Sequence, residues 1–177
     1  MDLKLGTAPP KYKSPSQIAR IITEKWVEEN MFCVKCGHPK LRRLKNNSHF
    51  RDFECERCGN ICELKSTTRS IKNTILGGEY QVMIDRINSG EAPDLLVMRR
   101  SAKEPLVRDL IIIPRSFLSS DIIEKRDPLG PEARRAGWVG GNILLKNIPE
   151  VAKIKIIENG KILDKDEVMR EFRLAGE

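Results

Sequence analysis

The chain has 177 residues, 32 of them basic and 25 acidic, for a net charge of +7. That length supports one domain with a core of its own, and the excess of cations suits a polyanionic partner such as nucleic acid. No run approaches the roughly twenty apolar residues a bilayer requires, and the first residues, MDLKLGTAPPKYK, lack the apolar centre of a signal peptide; a cytoplasmic protein with no membrane partner is expected.

Ser14-Pro15-Ser16-Gln17 reads as a helix start, with Ser14 as N-cap, Pro15 at the first helical position and Gln17 placed to close a capping box. The helix is expected to reach about Asn30, with Ile18, Ile21, Ile22 and Trp26 as its apolar stripe and Arg20, Glu24 and Glu28 on other faces. Glu24 there either supports a neighbouring site or stands solvated. Two CxxC pairs follow, Cys33-x-x-Cys36 and Cys55-x-x-Cys58, eighteen residues apart and each followed directly by glycine. Four thiolates at that spacing match a closed, tetrahedral, structural zinc site. The fifth cysteine, Cys62, reads as a small buried hydrophobe, and His38 as a surface residue. Residues 31–60 are thus expected to form a zinc-binding insertion. Its middle, His38 to Ser48, has few core-forming residues and is expected to depend on metal for its order.

Phe50 to Cys55 and Ile61 to Ser66 read as hairpin strands with the second CxxC pair as their turn. Alternation puts Glu63 and Lys65 on one face of the second strand and Cys62 and Leu64 on the other, separating a functional face from a core face. Thr67 to Gly78 reads as a polar loop and Glu79 to Asn88 as an amphipathic helix. Asp94 to Met98 and Leu106 to Ile113 are the most apolar runs and the expected central strands. Ser119 to Glu124 suggests a short helix, and Pro128 to Gly141 a loop punctuated by Pro and Gly. Asn159-Gly160 reads as the turn joining strands Val151 to Glu158 and Lys161 to Leu163. The last dozen residues look like a charged helix. The fold class this order implies is mixed α/β, a single domain with a central mixed sheet flanked by helices.

Asp52, Glu63 and Lys65 form a D-x10-E-x-K group on the expected hairpin. Two carboxylates on neighbouring strands can share a magnesium or manganese ion, and the Leu64 carbonyl can add another oxygen. Such an ion polarises a phosphodiester and lowers the pKa of a bound water, while Lys65, on the face of Glu63, orients that water or offsets developing charge. The plain alternative is a surface ion pair on a strand. In Arg134-Arg135-Ala136-Gly137-Trp138 the arginines can grip phosphates or pair with guanine, and the tryptophan edge offers an apolar surface for a methyl group. Its plain alternative is a tryptophan anchoring the loop beside solvated arginines. Arg42-Arg43-x-Lys45, Arg69-x-x-Lys72 and Arg99-Arg100 are further candidate phosphate contacts.

Several of these motifs occur together in one order: Lys13-Ser14-Pro-Ser-Gln17-x-Ala-Arg20-x-x-Thr23-Glu24-x-Trp26-Val27, Cys33-x-x-Cys36-Gly37, Asp52-Phe-x-Cys55-x-x-Cys58, Glu63-Leu-Lys-Ser66 and Pro128-Leu-x-Pro-x-Ala-Arg-Arg-Ala-Gly-Trp138. The chain in this respect resembles the DpnI family of methyl-directed restriction endonucleases over nearly its whole length. The resemblance implies a PD-(D/E)XK nuclease core with Asp52, Glu63 and Lys65 in catalytic positions, magnesium on Asp52, Glu63 and Leu64, and zinc on Cys33, Cys36, Cys55 and Cys58. It implies duplex DNA carrying N6-methyladenine in a GATC context as substrate, Arg134, Arg135 and Trp138 as DNA contacts, and no small-molecule cofactor. Two departures stand out. The chain stops where DpnI continues into a winged-helix domain, so weaker affinity or looser preference is expected, and the stretch Thr67 to Asn73 matches poorly. A monomer is favoured. A non-catalytic zinc ribbon that binds nucleic acid, and a related nuclease of other modified-base or repair specificity, are the rival expectations.

Overall fold

In the computed structural model, which describes residues 1–45 and 51–176, helix α1 (Pro15–Asn30) has the limits expected from the sequence. Ser14 holds the cap position, yet its hydroxyl pairs with that of Ser16 at 2.9 Å and caps no backbone amide, so the expected capping box is not formed. The buried side of α1 is Thr23, Glu24, Trp26 and Val27, rotated from the expected isoleucine stripe, and Ile18, Ile21 and Ile22 are half-buried. Trp26 accounts for this rotation: its rings lie in the core while its indole N–H donates to the Asp2 carbonyl at 2.8 Å.

The strands that follow are β1 (Arg42–Arg43), β2 (Phe53–Glu54), β3 (Ile61–Thr67), β4 (Ile75–Glu79), β5 (Asp94–Arg100), β6 (Val107–Ile113), β7 (Ile123–Lys125), β8 (Gly140–Ile143), β9 (Ile154–Glu158) and β10 (Lys161–Ile162). Helix α2 (Tyr80–Asn88) links β4 to β5, and α3 (Lys165–Gly176) follows β10. The main sheet has the order β1-β2-β3-β5-β6-β9-β10, with β3 and β5 parallel and the other pairs antiparallel. A parallel pair needs a long crossover, and β4 and α2 supply it. Among the described residues no helix is long and apolar enough to cross a membrane.

Both faces of the central strands are buried, which is why β5 and β6 read as unbroken apolar runs. Leu96, Met98, Leu110 and Ile112 join one cluster with α1, α3 and the cysteines. Leu95, Val97, Ile111 and Ile113 join a second, with α2 and a small sheet of order β4-β8-β7. Each fully buried aliphatic side chain stabilises the fold by about 1.5–3 kcal/mol.

The small sheet departs most from expectation. Thr67 to Gly78 is not wholly loop, since it contains the start of β4. Ser119 to Glu124 is a 3-10 turn (Ser120–Ile122) running into β7, and the loop expected through Gly141 gives way to β8 at Gly140. Glycines, poor strand formers, hid these strands, but packing requires them: a Cβ on Gly77 would lie 2.9 Å from the Gly141 carbonyl and 2.8 Å from Met83. The strand expected over Val151 to Glu158 starts at Ile154, after a 3-10 turn (Glu150–Ala152). The strand expected over Phe50 to Cys55 is regular only at Phe53–Glu54, and Phe50 lies outside the described residues. The Asn159-Gly160 turn is as expected, with φ of 48° and 76°.

A buried polar clamp ties the hairpin to the sheet. Asp94, opening β5, accepts from the Asn60 amide at 2.8 Å, the Arg115 backbone N–H at 2.9 Å and Arg115 Nε at 3.2 Å, while Arg115 also donates to Asn60 at 2.9 Å. Asp94→Ala would leave the buried Asn60 amide without its acceptor and take the anion from a partly exposed Arg115, so it is expected to lower stability by about 2 kcal/mol. Urea unfolding with an unchanged m-value measures this; a loss under about 1 kcal/mol would remove the clamp from the account.

Candidate active site

The two cysteine knuckles share one backbone pattern. Gly37 N–H donates to the Cys33 carbonyl and Gly59 N–H to that of Cys55, both at 2.8 Å; Cys33 N–H donates to His38 and Cys55 N–H to Asn60, also at 2.8 Å. Gly37 and Gly59 adopt φ of 75° and 69°, a region glycine enters without steric cost. The four sulfurs lie within 4.8 Å of one another, the sole such group of His, Cys, Asp or Glu among the described residues. Cys33 pairs with Cys58 and Cys36 with Cys55 at 3.6 Å. That is far beyond the ~2.05 Å of a disulfide and near the roughly 3.8 Å between thiolates set tetrahedrally around zinc with ~2.3 Å bonds. The donor set therefore fits zinc. Burial pushes the Cys33 thiol up; at Cys36 desolvation acts the same way, but the His38 N–H and the neighbouring sulfurs bring it down to about 7. Cys62 is the buried hydrophobe expected. Metal is not the sole source of order between the knuckles: Leu41 is in the core, and Arg42 meets Glu54 at 2.6 Å and Glu56 at 3.4 Å. Residues 46–50 of that segment lie outside the described ones.

Asp52 precedes β2 directly. Its N–H donates to the Cys62 carbonyl at 3.0 Å, and its Oδ2 accepts the Leu64 N–H at 2.7 Å, drawing the carboxylate round the end of β2 onto the edge of β3. Glu63 and Lys65 share a face of β3, as expected, with Lys65 Nζ 2.5 Å from Glu63 Oε1. That face is not open. Glu63 is 7% exposed and borders a small cavity with Met83, Arg86, Leu95 and Ile143, so the expected division into functional and core faces fails because the second apolar cluster covers both purposes. Burial raises the Glu63 carboxyl against the pull of Lys65, and the charge of Asp52 adds to the rise. Asp52 is likewise raised by burial, opposed by the Leu64 N–H and Lys65 and reinforced by Glu24.

Glu24 is neither solvated nor on an open polar face. It is buried, 2.6 Å from Arg20 and 3.6 Å from Arg43. Arg20 and Arg86 join the charged group, beside Asp52 and Glu63 respectively, without having been singled out with it in the sequence; the four-residue spacing of Arg20 to Glu24, one helical turn, was the available signal for Arg20. Of the further candidate phosphate contacts, Arg42 pairs with Glu54, Arg43 with Glu24 and Arg99 with Asp109.

Arg134, Arg135 and Trp138 lie on the loop from β7 to β8, with both arginines exposed and the tryptophan half-buried. The Arg135 guanidinium stacks 4.5 Å from the centre of the Trp138 ring. The far ring edge rests on Gly140, where a Cβ would come within 2.8 Å. Leu129 N–H to Trp138 and Gly137 N–H to Leu129, at 2.9 and 2.8 Å, close the loop, and Tyr80 N–H to Val139 at 3.0 Å docks it on the start of α2. Arg86 lies six residues along that helix, about 9 Å, so α2 spans from the tryptophan loop to Glu63.

The structure thus brings together a buried carboxylate at Glu63, a half-buried one at Asp52, the lysine of β3 and a thiolate cage in the adjoining turn. The family model of DpnI, the Dam-replacing family, matches residues 1–176, and the chain belongs to that family. It is a nuclease of the restriction type, with DNA as its substrate.

Zinc analysis is expected to find one ion per chain, released as acid protonates the thiolates; a metal-free protein with an unaltered unfolding midpoint would exclude the cage. A second outcome follows from burial of Asp52. A carboxyl raised above its ordinary 3.8 favours the fold while protonated and costs stability as pH climbs through the raised value. Asp52→Asn keeps an oxygen for Leu64 and removes the charge. In zinc-loaded, magnesium-free protein it should raise the urea midpoint at pH 7 and lose that advantage toward pH 4. A variant weaker than the parent at pH 7 contradicts this.

Proposed function

We propose that the protein is a magnesium- or manganese-dependent endonuclease that cuts duplex DNA bearing N6-methyladenine in GATC. The observation that supports the reading most is the gathering of Asp52, Glu63 and Lys65 on the hairpin whose turn is half of the thiolate cage. Buried acids raised in pKa are costly to retain in a fold, and a cation site gives that cost a reason.

In this reading Asp52 and Glu63 hold the catalytic ion. Leu64 adds its carbonyl, since the N–H and C=O of one strand residue leave by the same edge and the Leu64 N–H points to Asp52. When bound, the ion supplies Lewis acidity toward the scissile phosphate and acidifies a water. Lys65 orients that water and offsets the charge gained on phosphate in the transition state. Burial around Glu63 keeps bulk water from screening these charges. Trp138 reads the methyl group with its exposed edge, held by the stacked Arg135, while Arg134 holds phosphate.

Methylated and unmethylated plasmid incubated with the zinc-loaded protein and magnesium test the proposal. Cutting confined to methylated DNA is expected; equal cutting of both removes the methyl requirement, and cutting of neither removes the nuclease reading in favour of a DNA-binding zinc module. Lys65→Ala should lower the cleavage rate by about 10²–10³-fold with DNA affinity little changed. Manganese titration should show a weak second site, lost in Asp52→Asn, whereas a simple zinc module binds no second ion.

A further inference from the structure

Beside the Glu63–Lys65 pair, an open groove of about 570 Å³ runs between the first half of α1 and the end of β3. Its walls include Ala19, Arg20, Glu24, Lys65, Leu76 and Arg100. Three of these are cations against a single carboxylate, and that carboxylate, Glu24, is engaged by Arg20 and Arg43. The first turn of α1 adds no acidic residue. Leu76, on the far wall, is 63% exposed and offers no polar competitor.

Arg100 is the anomaly in this groove. It is half-buried, its Nε is shut off from solvent, and among the described residues that nitrogen has no hydrogen-bond partner and the side chain no ion pair with a carboxylate. Its neighbour Arg99 pairs with Asp109 instead. The β5–β6 register shifts between these two residues, and such a bulge re-aims the side chains on either side of it. Desolvation lowers the Arg100 pKa with no anion to counter it. A guanidinium nitrogen shut off from water without a partner costs stability, and the planar fork of the group matches phosphate oxygens.

We propose that Arg100 grips a backbone phosphate of the DNA strand lying in the α1–β3 groove, next to the phosphate presented to Lys65, and so sets the register of that strand across the active site. The inference rests on the nuclease reading. Arg100 is a substrate-binding residue rather than one that touches the reacting atoms.

The test uses zinc-loaded protein without magnesium and a GATC duplex methylated at adenine N6. Single neutral methylphosphonate linkages are walked along each strand. One linkage near the cut should weaken binding by the parent about tenfold. Arg100→Ala should bind the unmodified duplex about tenfold more weakly, be indifferent to that linkage, and show a salt slope shallower by about one. Arg100→Lys should keep the salt slope and recover part of the affinity. The urea midpoint of Arg100→Ala should not fall. Parental affinity and an unchanged linkage profile in Arg100→Ala overturn the inference, as does a lowered midpoint with unchanged binding, which marks a structural arginine. If the parent binds no duplex, the nuclease reading itself fails, and the inference with it.

Discussion

The turn between β2 and β3 carries two constraints at once, and the rest of the site depends on their coincidence. Residues 55–60 present two thiolates to the cage and also close the hairpin that sets Asp52 across from Glu63. Cys55 N–H binds the Asn60 carbonyl, and the Asn60 side chain reaches Asp94 at the base of β5. A shift in the thiolate cage would therefore reach the carboxylates through a few short covalent and hydrogen-bonded steps. Small hairpins are marginal in water; this one is fastened at its turn by sulfur, at its flank by the parallel strand and at its open end by the bond from Leu64 to Asp52.

The same packing explains the electrostatics. An acid placed on a strand that is buried on both faces cannot shed its charge into water, so Glu63 is raised, and the charge of Asp52 adds to the rise; Asp52, half-buried ahead of β2, is raised by desolvation and by the charge of Glu24. Lys65 offsets the cost only in part. Stability surrendered at such a position is common where chemistry is done, because a preorganised charge cannot also be a relaxed one. Arg100 shows the same tension with the opposite sign.

Most of the frame was legible because its signals are local. The helix limits at Pro15 and Asn30, the β5 and β6 runs, the Asn159-Gly160 turn and the cage spacing all follow from backbone preference or ligand chemistry within a few residues. The small sheet was not legible. Its strands carry Gly77, Gly78, Gly140 and Gly141; Gly77 and Gly141 allow the close approach of β4, β8 and Met83, and Gly140 that of the Trp138 ring, conditions known only once those segments meet. Of the two places open to Glu24, helical periodicity could not exclude the solvated one; Trp26, drawn to the Asp2 carbonyl, turned that face inward, where the charge of Glu24 acts on Asp52. The approach of Arg43 to Glu24 and the unpartnered Nε of Arg100 are facts of three-dimensional neighbourhood, invisible to spacing alone.

The parallel pairing of β3 with β5 makes the site unusually intolerant of changes in length. Because successive strand residues face opposite ways, inserting or deleting one amino acid between Cys58 and Glu63 would turn the acid toward α1 and bring Cys62 or Leu64, respectively, to the cavity, with composition almost unaltered. The Asn60–Asp94–Arg115 clamp opposes such slippage from one end and the sulfur cage from the other. The count of residues from Cys55 to Lys65 is accordingly fixed by the cage at one end and the acid pair at the other.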